Sequence, residues 1–223
     1  MIKPDDSSLD HHDRVAVESR ARKLMDQADV WNRFPTPVDD IVAAAKLRVV
    51  SKGMFDQAGF LAFIKEKSNK AAEALKSAIS KVLGLYDANE RTIHIDDGVG
   101  VSKQKFLTLH ETGHHELPWH QKIFRVFQDC EQTLAPAVAD QFEREANNFA
   151  RFALFQGDAY KLRAADFPMG IKTPMNLAKT FGASVYASAR EFARTHHLAC
   201  VVYALEPRSE EHTSELQSLT TIS

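Results

Sequence analysis

The chain has 223 residues, of which 44% are hydrophobic and 26% charged, as in a soluble globular protein with one well-buried core. Its two cysteines, Cys130 and Cys200, are too few for a disulfide framework or a thiolate zinc site. A formal net charge of -2 gives no indication of a general affinity for nucleic acid.

The two ends of the chain are expected to lie outside the folded part. The polar, acidic start predicts a disordered segment over residues 1–12, and no apolar run follows it, so we expect a cytoplasmic protein with no membrane span. Residues 208–218 match the translation of a common sequencing adapter, and we expect residues 208–223 to be foreign to the natural chain. These residues hold one Arg and three Glu, so the rest of the chain carries 27 basic and 27 acidic residues.

The pattern of apolar residues predicts an α+β fold, with a small antiparallel or mixed sheet beside a helical bundle. A helix-turn-helix-like region and a C-terminal strand are expected to follow. The sequence FPTP separates the first two helices, because its prolines break any continuous helix. The predicted helices cover residues 14–29, 37–46, 70–84, 103–116, 137–155, 174–180 and 184–196, and the predicted strands cover residues 46–51, 59–66, 91–96 and 198–205.

The sequence HETGH, residues 110–114, places two histidines one helical turn apart. Positions i and i+4 lie only about 40° apart around a helix axis, so His110 and His114 project from one face and can share a metal ion. In this HExxH arrangement two imidazoles bind zinc, and the glutamate between them, here Glu111, accepts a proton from the attacking water. Gly113 in mid-helix suggests the close approach of another element. Such a motif also recurs by chance, and a third ligand would strengthen the interpretation.

The predicted helix over residues 137–155 supplies a candidate third ligand. Zinc hydrolases of the His-His-Glu type take a carboxylate from a second helix and leave one position open to water. Glu143 lies within the apolar stripe of this helix, where an unpaired carboxylate is costly to bury and a metal ion would remove that cost. Glu145 lies about 200° away, on a side where we expect a solvated ion pair with Arg151. Asn147 follows Glu143 by one turn and is a candidate hydrogen-bond partner for a metal ligand.

Two stretches, RTIHIDDGVGVSKQKFLTLHETGHHELPW and FEREANNFARFALF, together resemble the ImmA/IrrE family of metallo-endopeptidases. The resemblance covers residues 38–199. It implies a zincin-like metallopeptidase domain, placed here at residues 13–156, with the helical region at residues 157–207 packed on it. Thr112 departs from the family pattern, in which an apolar residue usually precedes the glycine, but this departure leaves every expected ligand in place.

The resemblance also implies a set of roles for the motif residues. Zinc would be bound by His110, His114 and Glu143, and Glu111 would act as the general base. Family members often cleave a helix-turn-helix repressor encoded beside them. A zinc-dependent endopeptidase with a repressor as its protein substrate is therefore the function that the resemblance implies.

Two other functions stay open at the level of sequence. The fold could serve as a regulatory binding module without catalysis, although three protein ligands leave a coordination position open whereas structural zinc sites are usually closed by four. A DNA-binding regulator could use the helix-turn-helix-like residues 176–193, but direct nucleic-acid binding is disfavoured because the second helix offers only Arg190 and Arg194 as cations. His94 alternates away from the apolar side of strand 91–96, which favours a solvated histidine, although an edge strand there could also pair with an extended substrate.

Overall fold

The computed structural model describes residues 8–52, 84–87, 90–121, 136–198 and 200–202. Helices dominate these residues, and three strands form a small mixed sheet, which confirms the predicted α+β class. None of the helices in these ranges combines the length and apolar character needed to cross a membrane. The helices are α1 His11–Ala28, α2 Val38–Ala44, α3 Val101–Glu116, α4 Pro136–Phe155, α5 Ala159–Ala164, α6 Lys172–Phe181 and α7 Val185–Thr195, and the strands are β1 Arg48–Lys52, β2 Gly84–Asp87 and β3 Thr92–Asp96.

The sheet has the order β1-β3-β2, in which β1 is parallel and β2 antiparallel to β3. Strand β3 has a partner on each side, so it is not the edge strand that pairing with an extended substrate would need. His94 lies at its centre, in register with Val50 on β1 and Leu85 on β2. Its Nδ1 atom is buried without a hydrogen-bond partner among the described residues.

Helix α4 packs against α3 and α1, and this contact forms much of the core. The prediction that another element approaches Gly113 closely is confirmed, because a Cβ atom at Gly113 would lie 3.1 Å from the Cβ atom of Phe149 on α4. Helix α3 ends at Glu116, and Leu117 is extended before Pro118, as proline requires of its predecessor. The absent side chain of Gly113 thus lets the helix that carries His110 and His114 lie close to α4.

The start of the chain is helical earlier than expected. Helix α1 begins at His11, and the side chain of Asp10 caps it by accepting a hydrogen bond from the backbone N–H of Asp13. The expected disordered segment thus overlaps the helix at residues 11–12, and its residues 1–7 lie outside the described part of the chain.

The C-terminal region contains a helix that the sequence pattern did not predict, α5, in addition to the predicted α6 and α7. Gly182 has a φ of 71° in the turn between α6 and α7, and the side chain of Ser184 caps α7. Residues 198 and 200–202, which belong to the predicted last strand, contain no strand in the described part. The predicted strand over 59–66, most of the predicted helix over 70–84 and residues 208–223 lie outside the described residues.

Candidate metal site

His110 and His114 lie on one face of α3, and Glu143 faces them from α4. The Nε2 atoms of the two histidines are 3.2 Å apart. Glu143 places Oε2 at 3.3 Å from Nε2 of His110 and Oε1 at 3.6 Å from Nε2 of His114. Ligand atoms about 2.05 Å from a tetrahedral ion lie about 3.3 Å from one another. The three side chains could therefore hold one metal ion, as their spacing in sequence predicts.

The surroundings of Glu143 differ from the prediction. Its side chain is 60% exposed, whereas those of His110 and His114 are 11% and 10% exposed. The expectation of a carboxylate buried on an apolar stripe is therefore wrong, because this part of α4 reaches the surface at Glu143. The convergence of the donor atoms, and not a burial cost, makes Glu143 a candidate ligand. Its exposure also leaves the group accessible from solvent.

Glu145, which was expected to be solvated, is buried. Its side chain is only 7% exposed, and its carboxylate accepts hydrogen bonds from Nε2 of His120 at 2.8 Å, from Nε2 of Gln141 at 3.0 Å and from Nε1 of Trp119. The expected solvated ion pair with Arg151 is wrong because residues 118–121 form a helical turn that covers Glu145. A helix projection contains no information about this covering turn.

The charges of the site favour an ionised carboxylate facing the two imidazoles. The partial burial of Glu143 would raise its pKa, but its contacts with His110 and His114 outweigh this effect and hold that pKa well below its usual range. Burial would lower the pKa of His110, but Glu143 and Glu111 outweigh it and raise that pKa. A metal ion would take the place of the proton that this arrangement attracts.

Nδ1 of His110, the ring nitrogen that points away from His114 and Glu143, contacts the residue predicted as its hydrogen-bond partner. Nδ1 of His110 is 3.0 Å from Oδ1 of Asn147, one turn after Glu143 on α4. Because an amide oxygen only accepts, the hydrogen of His110 lies on Nδ1 and its Nε2 lone pair is directed at the group. Asn147 thus fixes the tautomer of a candidate ligand.

His114 has a less usual partner, which sequence reasoning missed. Its Nδ1 is 3.0 Å from Nδ1 of His120, whose Nε2 contacts Glu145. His120 is fully buried and stacks on Phe142 with ring centroids 4.0 Å apart. Burial lowers the pKa of His120, against the opposing effect of its hydrogen bond with Glu145. Residues 108–120 contain four histidines, and this enrichment was the available sequence signal that His120 could belong to the site. Because Pro118 ends the helical pattern of α3, spacing along the helix could not place His120.

Two further residues of the motif stretch are not among the three candidate ligands. Glu111 is half-buried and follows His110 directly on α3, where its charge contributes to the raised pKa of His110. His115 faces away, since its Nδ1 is 2.6 Å from the hydroxyl of Tyr86 on β2. Burial and the charge of Arg91 lower the pKa of His115. The group of three donors is thus separate from His115, as the helical spacing predicts.

Comparison with models of known protein families finds no match for the chain, and a search of curated proteins finds none either. The family resemblance of the two motif stretches, the zincin-like domain and the division at residue 156 therefore stay predictions. The group formed by His110, His114 and Glu143 is a candidate site on its geometry alone.

Proposed function

We propose that the chain is a zinc-dependent endopeptidase, with zinc bound by His110, His114 and Glu143 and with Glu111 as the general base. One observation carries the proposal: three side chains from two helices converge, with the two imidazole Nε2 atoms 3.2 Å apart and the two carboxylate oxygens of Glu143 at 3.3 and 3.6 Å from them. Two imidazoles and one carboxylate form the donor set of catalytic zinc sites that leave a fourth position for water. The exposed side chain of Glu143 gives a substrate access from solvent.

The residues around the group have distinct tasks in the proposed reaction. Bound zinc supplies a Lewis acid that polarises a peptide carbonyl and lowers the pKa of water. Glu111 accepts the proton of the attacking water and passes it to the leaving amide nitrogen. Asn147 keeps His110 in the tautomer whose Nε2 binds the ion.

The proposed substrate is a protein, and a helix-turn-helix repressor is the specific candidate. This part rests on the resemblance to the ImmA/IrrE family and not on a contact in the structure. Recognition is expected to depend on the protein substrate alone, without direct binding of nucleic acid by this chain. The non-catalytic binding module is the competing hypothesis, which predicts metal binding or repressor binding without cleavage.

The experiment compares the wild type with Glu111→Gln, a change that keeps size and hydrogen bonding but removes the carboxylate that must accept the proton. Labelled casein and repressors encoded beside the gene serve as probes, with and without a chelator. Loss of a positioned general base typically slows a reaction by ~10²–10⁴-fold, so cleavage should fall to near background. Zinc content, measured on the purified protein, should stay unchanged.

The matched control is Glu116→Gln, which removes a half-buried carboxylate from the same helix on a different face. This variant should cleave at the wild-type rate. Cleavage that survives both Glu111→Gln and the chelator would overturn the proposed mechanism. Zinc binding by a wild type that cleaves none of the probes would favour the binding module.

A further inference from the structure

We propose that His120 and Glu145 form a positioning pair that fixes the tautomer and orientation of His114 and thereby sets the affinity of the site for its metal ion. The inference rests on the metal site of the proposed function, but it does not depend on peptidase activity. Neither residue was expected to take part in the site from the sequence, and neither belongs to the three donors.

The order of contacts determines where the hydrogens lie. The Glu145 carboxylate only accepts, so Nε2 of His120, at 2.8 Å, must carry the hydrogen. A neutral imidazole has one donor and one acceptor nitrogen, which leaves the lone pair of His120 on Nδ1. That lone pair accepts the N–H of His114 Nδ1 at 3.0 Å, and the lone pair of His114 is left on Nε2, facing Glu143 and His110. With the hydrogens in the opposite order, Nε2 of His114 would carry a hydrogen and could not bind an ion.

The pair is held rigidly from both ends. His120 is fully buried, and its ring lies 18° from parallel on the ring of Phe142. Glu145 is held by Trp119 and by Gln141, whose Nε2 atom donates to it at 3.0 Å. Because these contacts fix both side chains in advance, little side-chain entropy is lost when His114 is oriented.

A purely structural role explains the pair less well. Removing a histidine and a carboxylate from water is costly, and well-packed apolar residues often replace buried ion pairs at no loss of stability. The two metal histidines also have equivalent arrangements, since Nδ1 of His110 contacts Asn147 while Nδ1 of His114 contacts His120. Partners in this position orient a ligand and raise its basicity.

Two substitutions of His120 distinguish its hydrogen bond with His114 from its hydrogen bond with Glu145. In His120→Asn the amide oxygen takes the place of Nδ1 and can accept from His114, but the contact with Glu145 is lost. In His120→Gln the amide nitrogen takes the place of Nε2 and can donate to Glu145, but the acceptor for His114 is lost. Both variants remove the same ring from the stack on Phe142, so their effects on folding should be similar.

Zinc affinity is measured by competition with a chromophoric chelator, on protein whose folding is checked by circular dichroism. His120→Gln should weaken zinc binding about 10–100-fold, the usual effect of losing such a partner, and His120→Asn should weaken it much less. His115→Gln, which alters a neighbouring imidazole outside the group, should leave the affinity unchanged. Equal affinities of wild type, His120→Asn and His120→Gln would overturn the inference.

A second measurement does not depend on the folding of any variant. Nitrogen-15 NMR of the zinc-loaded wild type should show hydrogen on Nδ1 of His114 and on Nε2 of His120. The opposite tautomer at His120 would overturn the inference. Zinc binding without cleavage would contradict the proposed peptidase and leave the positioning pair intact, whereas a wild type that binds no zinc would contradict both.

Discussion

Helix α4 carries polar side chains on two faces, and the two faces are built differently. Towards α3, Glu143 faces the imidazoles of His110 and His114. Towards α1 and α7, Arg151 lies between Glu18 and Glu191, with guanidinium nitrogens 3.0 Å and 3.3 Å from their carboxylate oxygens. The first face gathers donor atoms around one point, and the second joins opposite charges in pairs.

This difference distinguishes a binding site from a structural network. Arg194 also contacts Glu191, at 2.6 Å, so two cations face two carboxylates on the side of Arg151. On the side of Glu143, lone pairs of two imidazoles and a carboxylate converge, and they can be satisfied together only by protons or a metal cation. The paired face sets guanidinium groups against carboxylates, whereas the converging face has the chemistry of a cation site.

The largest expected effect comes from removing the centre of the paired face. Arg151→Leu removes the guanidinium group that contacts both Glu18 and the buried Glu191, while Arg194 still contacts Glu191. Breaking a buried ion pair in this way should lower the free energy of unfolding by about 3 kcal/mol. Chemical denaturation measures the free energy of unfolding. Arg144→Leu on the same helix breaks the more exposed pair with Asp140 and should cost under about 1 kcal/mol.

The cost of Arg151→Leu should also depend on pH. Burial raises the pKa of Glu191 to about 7, although Arg151 opposes this shift. Because the folded pKa lies above the usual glutamate pKa of 4.5, this group makes folding more favourable at low pH, and the contribution is lost as pH rises through about 7. Without Arg151, protonated Glu191 avoids an unpaired charge, so the variant should lose less stability at pH 5.5 than at pH 8. An equal loss at both pH values would contradict the account of Glu191.

The second prediction tests the converging face through its ligand. At a zinc concentration 100 times the dissociation constant, binding to the folded state alone stabilises a protein by about 2.7 kcal/mol. The wild type should show this increase in unfolding free energy, and Glu143→Ala should show none under the same conditions. Asp140→Ala removes another exposed carboxylate from α4 and should keep the increase. A full zinc increment in Glu143→Ala would contradict its assignment as a ligand.

Long elements with a clear period could be predicted from the sequence, and short ones could not. The helix expected over 137–155 is α4 Pro136–Phe155, because its buried alanines and phenylalanines repeat at helical spacing. The strand β2 Gly84–Asp87 and the six-residue helix α5 were missed, since four to six residues hold too little pattern to identify a type.

The candidate site divides in the same way. His110 and His114 are related by one helical turn, and Asn147 and Glu143 by another, so spacing could place each pair on one face. Glu143 itself was selected by a burial argument that its exposure contradicts. The burial of Glu145 and the role proposed for His120 depend on the turn at residues 118–121 folding over α4, which is a tertiary contact. Local spacing identified donors on a regular helix, and it failed where an irregular segment determines which side chain is buried.

The last prediction concerns the start of α7, the helix that brings Glu191 and Arg194 to the paired face. The hydroxyl of Ser184 accepts a hydrogen bond from the backbone N–H of Ala187 at 3.1 Å, and losing such a cap typically costs about 1 kcal/mol. Ser184→Ala should lower the unfolding free energy by this amount, and Ser184→Asp should restore it, because a carboxylate also accepts at this position. Zinc affinity should be unchanged in both variants, since α7 meets α4 at the ion pair of Glu191 with Arg151 and not at the three candidate ligands. A weaker zinc affinity in Ser184→Ala, reversed in Ser184→Asp, would show that the two faces are coupled through α4 and do not act independently.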